Sequence, residues 1–357
     1  MISLKKNAQT IQHGGNVDEA IRRYNISKDE WIDLSTGISP WAYPFKELPK
    51  DVWQSLPSSN QELLTCAAKY YNVNIDRVIA TPGTQIAIRL IPQFFQPSKV
   101  AIPSLGYQEH TASWQMANHQ TVYYQNTEEL ITLLDTESVD HLVLINPNNP
   151  NGDKLSLNVI ETIISKVRGI CIIDEAFIDY YDEENSASQL HSATKINNYH
   201  DYENLIILRS IGKFFGLAGI RLGFALGSHP SLAALNALLN PWSISHISQH
   251  IGIQALQDKQ WQAQQRLNIN KHSHSFEKAL ERLLINNLKE YSKIESGLFN
   301  TVFAVKPELK ILHEQLARKG VWTRLCNDND QPSWLRFGLP KDIDEFEKRT
   351  LNISSEL

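Results

Sequence analysis

The chain has 357 residues, 42% of them hydrophobic and 20% charged. That length is too great for one compact core and suits two domains. The formal net charge of -5 excludes a general affinity for nucleic acid or an anionic membrane surface. No apolar run is long enough to span a bilayer. Three scattered cysteines, Cys66, Cys171 and Cys326, have neither a metal-binding spacing nor a disulfide framework, which points to a reducing compartment. Met1–Thr10 is polar and lacks the apolar core of a signal peptide. A cytoplasmic enzyme is the expectation.

In chain order, the N-terminal segment carries His13-Gly14-Gly15-Asn16 and Ser35-Thr36-Gly37-Ile38-Ser39-Pro40. Short, β-branched-rich runs follow at Val78–Ala80, Lys99–Ile102, His141–Ile145, Gly169–Ile173 and Asn204–Leu208. Each is bounded by Pro, Gly, Asn or Asp and reads as a buried strand. Helical patterns over Thr84–Phe95 and Leu157–Val167 lie between them. The alternation predicts an α/β fold with a mostly parallel sheet covered on both faces. After about residue 250 the pattern changes. One long helix is predicted over Gln254–Leu283, then strands at Leu298–Val305, Trp322–Leu325 and Trp334–Phe337, with helices at Glu308–Lys319 and Asp342–Leu351. The resulting division is an arm over 1–45 joined to the small domain, a large domain over 46–250, and a smaller α+β domain over 251–357.

The residues that carry chemistry follow the predicted strands, where ligands gather in open parallel sheets. Ser210-Ile211-Gly212-Lys213 runs on into Gly216-Leu217-Ala218-Gly219-Ile220-Arg221-Leu222-Gly223. A lysine amine condenses with an aldehyde only when unprotonated, so Lys213 needs desolvation or neighbouring cations such as Arg221. An isolated lysine is ordinarily a solvated surface group; this glycine-rich frame with a serine and an arginine is not isolated. Asp174 closes Ile172-Ile173-Asp174-Glu175-Ala176-Phe177, and Asn149 lies in Asn146-Pro147-Asn148-Asn149-Pro150. Taken alone, Asp174 is equally a helix N-cap. Strand alternation turns Glu175 to the other side. Together, Lys213, Asp174 and Asn149 read as a Schiff-base site for pyridoxal phosphate, with Asp174 keeping the pyridine nitrogen protonated so that the ring acts as an electron sink.

Pro82-Gly83-Thr84-Gln85 joins a strand to a helix and offers backbone amides for the cofactor phosphate, to which Ser210 and Arg221 add donors. As a lone motif it is only a tight turn and a cap. Tyr107 is a candidate to stack on the pyridine ring, with a packed loop tyrosine as the plain alternative. Arg336 is a lone cation in the apolar strand Trp334–Phe337, suited to a substrate carboxylate or to a structural ion pair. Arg324 is a second candidate for an anion. His13, Gly14 and Gly15 offer an imidazole and flexible amides, although such residues commonly belong to a mobile terminus.

These motifs together resemble the fold-type I pyridoxal-phosphate enzymes of the aminotransferase class I/II superfamily, over nearly the whole chain. The resemblance implies a homodimer with active sites at the subunit interface. Within the superfamily, His13–Asn16, Leu34–Pro40, Pro82–Gln85, Asp174–Phe177, Pro241–Ser245 and Leu335–Pro340 resemble the branch that decarboxylates phosphorylated threonine in cobalamin biosynthesis. That branch implies conversion of L-threonine O-3-phosphate to 1-amino-2-propanol O-2-phosphate; the alternative is a histidinol-phosphate type of aminotransferase. The implied site has Lys213 as catalytic residue and Gly83, Thr84, Gln85, Tyr107, Asn149, Asp174, Ser210 and Arg221 on the cofactor. His13, Gly14, Gly15, Gly37, Asn149, Arg324 and Arg336 fall to the substrate, and no metal is implied. Phe177 stands where many superfamily members carry a tyrosine. Leu56 stands near the position where histidinol-phosphate aminotransferases carry one. A regulatory protein on the same fold is disfavoured by the intact Lys213, Asp174 and Asn149.

Overall fold

The computed structural model of the chain describes residues 13–57, 59–136, 139–181, 202–239, 241–327 and 332–353. A seven-stranded sheet is built from β1 (Val78–Thr81), β2 (Lys99–Pro103), β3 (Gln120–Tyr124), β4 (His141–Ile145), β5 (Cys171–Asp174), β6 (Leu205–Ser210) and β7 (Gly223–Gly227). The spatial order is β1-β7-β6-β5-β4-β2-β3. Strand β7 runs antiparallel to β1 and β6, and the other pairs are parallel.

Alternation along the central strands separates two apolar layers. Leu142, Leu144, Cys171, Ile173, Leu205 and Ile207 enter one core cluster; Val143, Ile145, Ile172, Ile206 and Leu208 enter the other. Helices cover both faces, so these strands carry continuous apolar runs rather than an apolar residue at every second position. Helix Leu157–Lys166 is capped by Ser156, whose hydroxyl accepts from the Val159 amide, and it buries Ile160, Ile163 and Ile164.

A second sheet is antiparallel. It contains β8 (Ser292–Glu295), β9 (Phe299–Phe303), β10 (Arg324–Leu325) and β11 (Trp334–Gly338) in the order β10-β11-β9-β8. The strand expected over Trp322–Leu325 is divided between two sheets. Val321–Trp322 pairs in parallel with Ile32–Asp33, whereas Arg324–Leu325 pairs with β11. The single helix expected from Gln254 is two helices, His246–Gln257 and Lys259–Asn287. Asp258 breaks the run because its side chain caps the second helix, accepting from the Trp261 amide at 2.9 Å. Strands β3, β7 and β8 and the short strand Ile32–Asp33 were not foreseen.

The N-terminal segment joins the small sheet to the loop after β6. Leu34 donates to the Trp322 carbonyl at 2.7 Å, and its own carbonyl accepts from Gly338 at 2.6 Å. Farther along, Ser39 donates to the Lys213 carbonyl at 3.0 Å and Tyr43 to the Phe215 carbonyl at 2.9 Å. The segment thus spans from the small sheet to the loop that carries Lys213.

Candidate active site

Register places the polar residues at one edge of the large sheet. Ile145 pairs with Asp174, Asp174 with Leu208, Ser210 with Gly223, and Gly223 with Thr81. The carboxyl ends of β1, β4, β5 and β6 therefore meet the start of β7. Two adjoining cavities open there. The inner one, about 170 Å3, is lined by Gly83, Thr84, Gln85, Asp174, Phe177, Ser210 and Arg221 among others. The outer one, about 460 Å3, is lined by His13, Gly14, Arg324, Asn327, Trp334 and Arg336 among others. Tyr107, Asn149 and Lys213 line both.

Lys213 stands where the cavities join. Its Nζ lies 5.2 Å from the centre of the Phe177 ring. Burial, and then the Arg336 and Arg221 guanidiniums, lower its pKa from 10.5 to about 8, against the opposing pull of Asp174. At neutral pH a usable fraction of the amine is therefore unprotonated. Asp174 is 4% exposed. Its Oδ1 accepts from the Ala176 amide at 3.1 Å, and its Oδ2 lies 3.1 Å from His110 Nε2. Glu175 points the other way, where its Oε2 accepts from Arg209 at 3.1 Å. The alternation expected from the strand thus separates a cavity carboxylate from a buried ion pair.

At the end of β1, Gly83 has φ +75° and makes the N-cap of helix Thr84–Leu90. An added Cβ there would lie 2.5 Å from Arg221 Nη2, so a side chain and the guanidinium cannot share this corner. Arg221 itself is left-handed, with φ 52°, and donates through Nη1 to the Ala218 carbonyl at 3.1 Å. The Ser210 hydroxyl accepts from the Gly212 amide at 3.1 Å. Tyr107 is tied by its hydroxyl to Gln85 Oε1 at 2.8 Å, and burial, with Glu109 and Asp174 nearby, holds its pKa well above the ordinary value.

In the outer cavity, Arg336 is 7% exposed. Its Nη1 donates to Asn149 Oδ1 and its Nη2 to the Ser35 carbonyl at 2.7 Å. Burial, and then Arg324, lower its pKa to about 10, and its Nε is buried without a hydrogen-bond partner. Small sheet and Asn149 loop are also joined by Thr301 Oγ1, which donates to the Pro150 carbonyl.

The structure brings Lys213, Asp174, Asn149, Ser210, Arg221, Tyr107, Arg324, Arg336, His13 and Gly14 to these two cavities. Two expected substrate residues fall outside the lining. The Gly15 amide, expected at the substrate phosphate, donates instead to Ser35 Oγ at 2.7 Å. Gly37 packs under the site, where a Cβ would come within 2.7 Å of Phe177. The Gln85 side chain, assigned to the cofactor, is engaged by Tyr107 and by Glu109 Oε2, the latter at 2.6 Å. Sequence reasoning missed Glu109 and His110. They are adjacent polar residues opening helix Glu109–Met116, and both are buried, at 3% and 1% exposure.

The donor set of the inner cavity matches pyridoxal phosphate. First-turn amides, Ser210 and Arg221 suit a phosphate at one end; Asp174 suits a protonated ring nitrogen; Lys213 suits an aldehyde.

Residues 47–348 match the aminotransferase class I and II family, and the chain belongs to it. The chain is a pyridoxal-phosphate-dependent enzyme of fold-type I. Among its relatives, the threonine-phosphate decarboxylase of Pseudomonas aeruginosa is 37% identical over 93% of this chain and 94% of its own length. The threonine-phosphate decarboxylase of a Sinorhizobium species is 31% identical over 93% of this chain and 94% of its own. Among solved structures, the histidinol-phosphate aminotransferase of Sinorhizobium meliloti in complex with pyridoxal-5'-phosphate shares the fold. It has a TM-score of 0.75 at 17% identity, covering 98% of this chain and 96% of that one.

Proposed function

We propose that the chain releases the carboxylate of L-threonine O-3-phosphate as carbon dioxide and leaves 1-amino-2-propanol O-2-phosphate. The observation that carries this reading is the cationic wall of the outer cavity. Arg336, Arg324 and His13 line it together, more positive or protonatable groups than one carboxylate needs. A substrate with two anionic groups uses all three. The two relatives above 30% identity are both named for this activity.

Bound pyridoxal phosphate supplies an electron sink for the carbon bearing the amine. The chain's residues supply the rest. Lys213 Nζ, with its lowered pKa, would hold the cofactor through its aldehyde as a free amine and, once displaced by the substrate's amine and protonated, would give a proton to the substrate's α-carbon. Asp174 would hold a proton at the ring nitrogen. Gly83, Thr84, Ser210 and Arg221 anchor the cofactor phosphate, and Tyr107 covers the ring. Arg336 grips the substrate carboxylate with its two-pronged fork, using Nε and a terminal nitrogen, while Asn149 fixes the plane. The group that these residues hold in the breaking position is the one lost, so a carboxylate held there would depart as carbon dioxide and leave its electron pair to the sink that the cofactor would supply. Arg324 and His13, with the Gly14 amide, take the substrate phosphate and set the rotation. An aminotransferase needs the same parts with the α-hydrogen perpendicular instead.

In this reading the enzyme serves cobalamin biosynthesis, works in the cytoplasm and acts as a homodimer. Among the described residues the three cysteines are free and buried, and no helix is long and apolar enough to cross a membrane. The test is to incubate the holoenzyme with L-threonine O-3-phosphate and follow carbon dioxide. Release without an added keto acid is the expected result. Amino transfer from histidinol phosphate to 2-oxoglutarate, with no carbon dioxide release, would establish the aminotransferase instead.

A further inference from the structure

Glu109 is the least explained charge near the site. It is 3% exposed, and a buried carboxylate must be well partnered. Its Oε2 accepts from Gln85 Nε2 at 2.6 Å and from Arg89 Nη2 at 3.1 Å. Those two bonds already answer the burial. Its Oε1 goes elsewhere, to His13 Nε2 at 2.8 Å, across 96 positions of sequence. The His13 side chain is 45% exposed. A contact to so open a group adds little to the core. It does tie an arm residue that lines the outer cavity to Gln85, and through Gln85 to Tyr107, both of which line the inner one. With Nε2 held by Glu109, Nδ1 is the ring nitrogen left for a ligand.

We propose that Glu109 is a positioning residue for phosphate recognition: by holding His13 Nε2 it fixes the imidazole in the wall of the outer cavity, so that Nδ1 is offered to the substrate phosphate. This rests on the reading that the outer cavity takes a phosphorylated substrate. Glu109 touches neither substrate nor cofactor in this account. It acts through His13.

The test compares the wild-type holoenzyme with Glu109→Gln, His13→Ala and the double variant. Calorimetry measures binding of 1-amino-2-propanol O-2-phosphate and of unphosphorylated 1-amino-2-propanol, neither of which carries a carboxylate to lose. Each single substitution is expected to weaken the phosphorylated ligand about tenfold and the unphosphorylated one less than about twofold. The double variant is expected to be no weaker than the weaker single, because the two residues act as one unit. Additive losses, or equal losses for both ligands, would overturn the proposal while leaving the phosphate reading intact. A wild-type enzyme that binds both ligands equally would sink the phosphate reading, and this proposal with it. Should Glu109→Gln fail to retain its cofactor absorbance, His13→Ala decides alone, and unchanged discrimination in that variant overturns the proposal.

Discussion

The inner and outer cavities are built by different means. Around the inner one, Asp174, Ser210, Lys213 and Gly83 each sit at or just beyond a strand end, and the pairing of those strands brings their ends together. The outer one is assembled from distant pieces: an arm residue, a loop after β4 and two strands of the small sheet. Arg336 reaches Ser35 across 301 positions and Asn149 across 187. The first arrangement is anchored at the strand ends of one sheet. The second depends on how arm and small sheet sit against the large sheet. Apart from the Arg336 charge, which acts on Lys213, cofactor chemistry should therefore be robust to changes in the outer cavity, and substrate selection should be sensitive to them.

Substitutions break that comparison in order of size. Lys213→Ala removes the amine on which the reaction depends, and kcat is expected to fall at least about a thousandfold in a turnover assay. Asp174→Asn removes the carboxylate that balances the ring nitrogen, and a loss of about a hundredfold in kcat is expected, together with a changed absorbance of the bound cofactor. Arg336→Leu tests the other cavity. It leaves Asn149 Oδ1 and the Ser35 carbonyl without this donor, and kcat/KM is expected to fall about a hundredfold while the cofactor spectrum stays as it was. A changed spectrum in Arg336→Leu would show that the two cavities are not separable in this way.

The pH dependence sharpens the same division. Lys213 has its pKa lowered from 10.5 to about 8, so its amine is mostly protonated at pH 6 and mostly free at pH 9. The rate at which cofactor-free protein takes up pyridoxal phosphate should rise with pH through a midpoint near 8. A midpoint near the ordinary lysine value would mean that burial and the two arginines do not act on Nζ. In Arg336→Leu the neighbouring positive charge is gone, and the midpoint should move upward.

The smallest expected effect belongs to Phe177→Tyr. Phe177 packs edge-on against Phe299, with centroids 5.1 Å apart, and adds no hydroxyl to the inner cavity. A tyrosine there keeps the packing and adds one donor. A change in kcat of about threefold or less is expected, with a shift in the cofactor's absorbance.

Much of the inner cavity was legible because its residues fall in short local motifs tied to strand ends. The strand that precedes each motif carries a short continuous apolar run, a pattern that survives in one sequence. Strand β3 escaped notice because Gln120–Tyr124 lies at the sheet edge, where only Tyr124 is buried. Strand β7 was hidden for another reason: Gly223 to Gly227 begins and ends in glycine, and glycine signals a turn locally even where the register needs it inside a sheet. The outer cavity was legible only in part. Arg336 stood out as a cation in an apolar strand. Glu109 and His110 gave no such signal, since their partners, His13 and Asp174, lie 96 and 64 positions away. Asp258 looked like one more polar residue on a long helix, until its side chain proved to cap a new one.

The most direct measurement is chemical. The holoenzyme is reduced with borohydride, digested and analysed by mass spectrometry. The phosphopyridoxyl group is expected on the peptide containing Lys213, and the Lys213→Ala variant is expected to be unlabelled. A label on another lysine, or undiminished labelling of the Lys213→Ala variant, would contradict the assignment of the inner cavity.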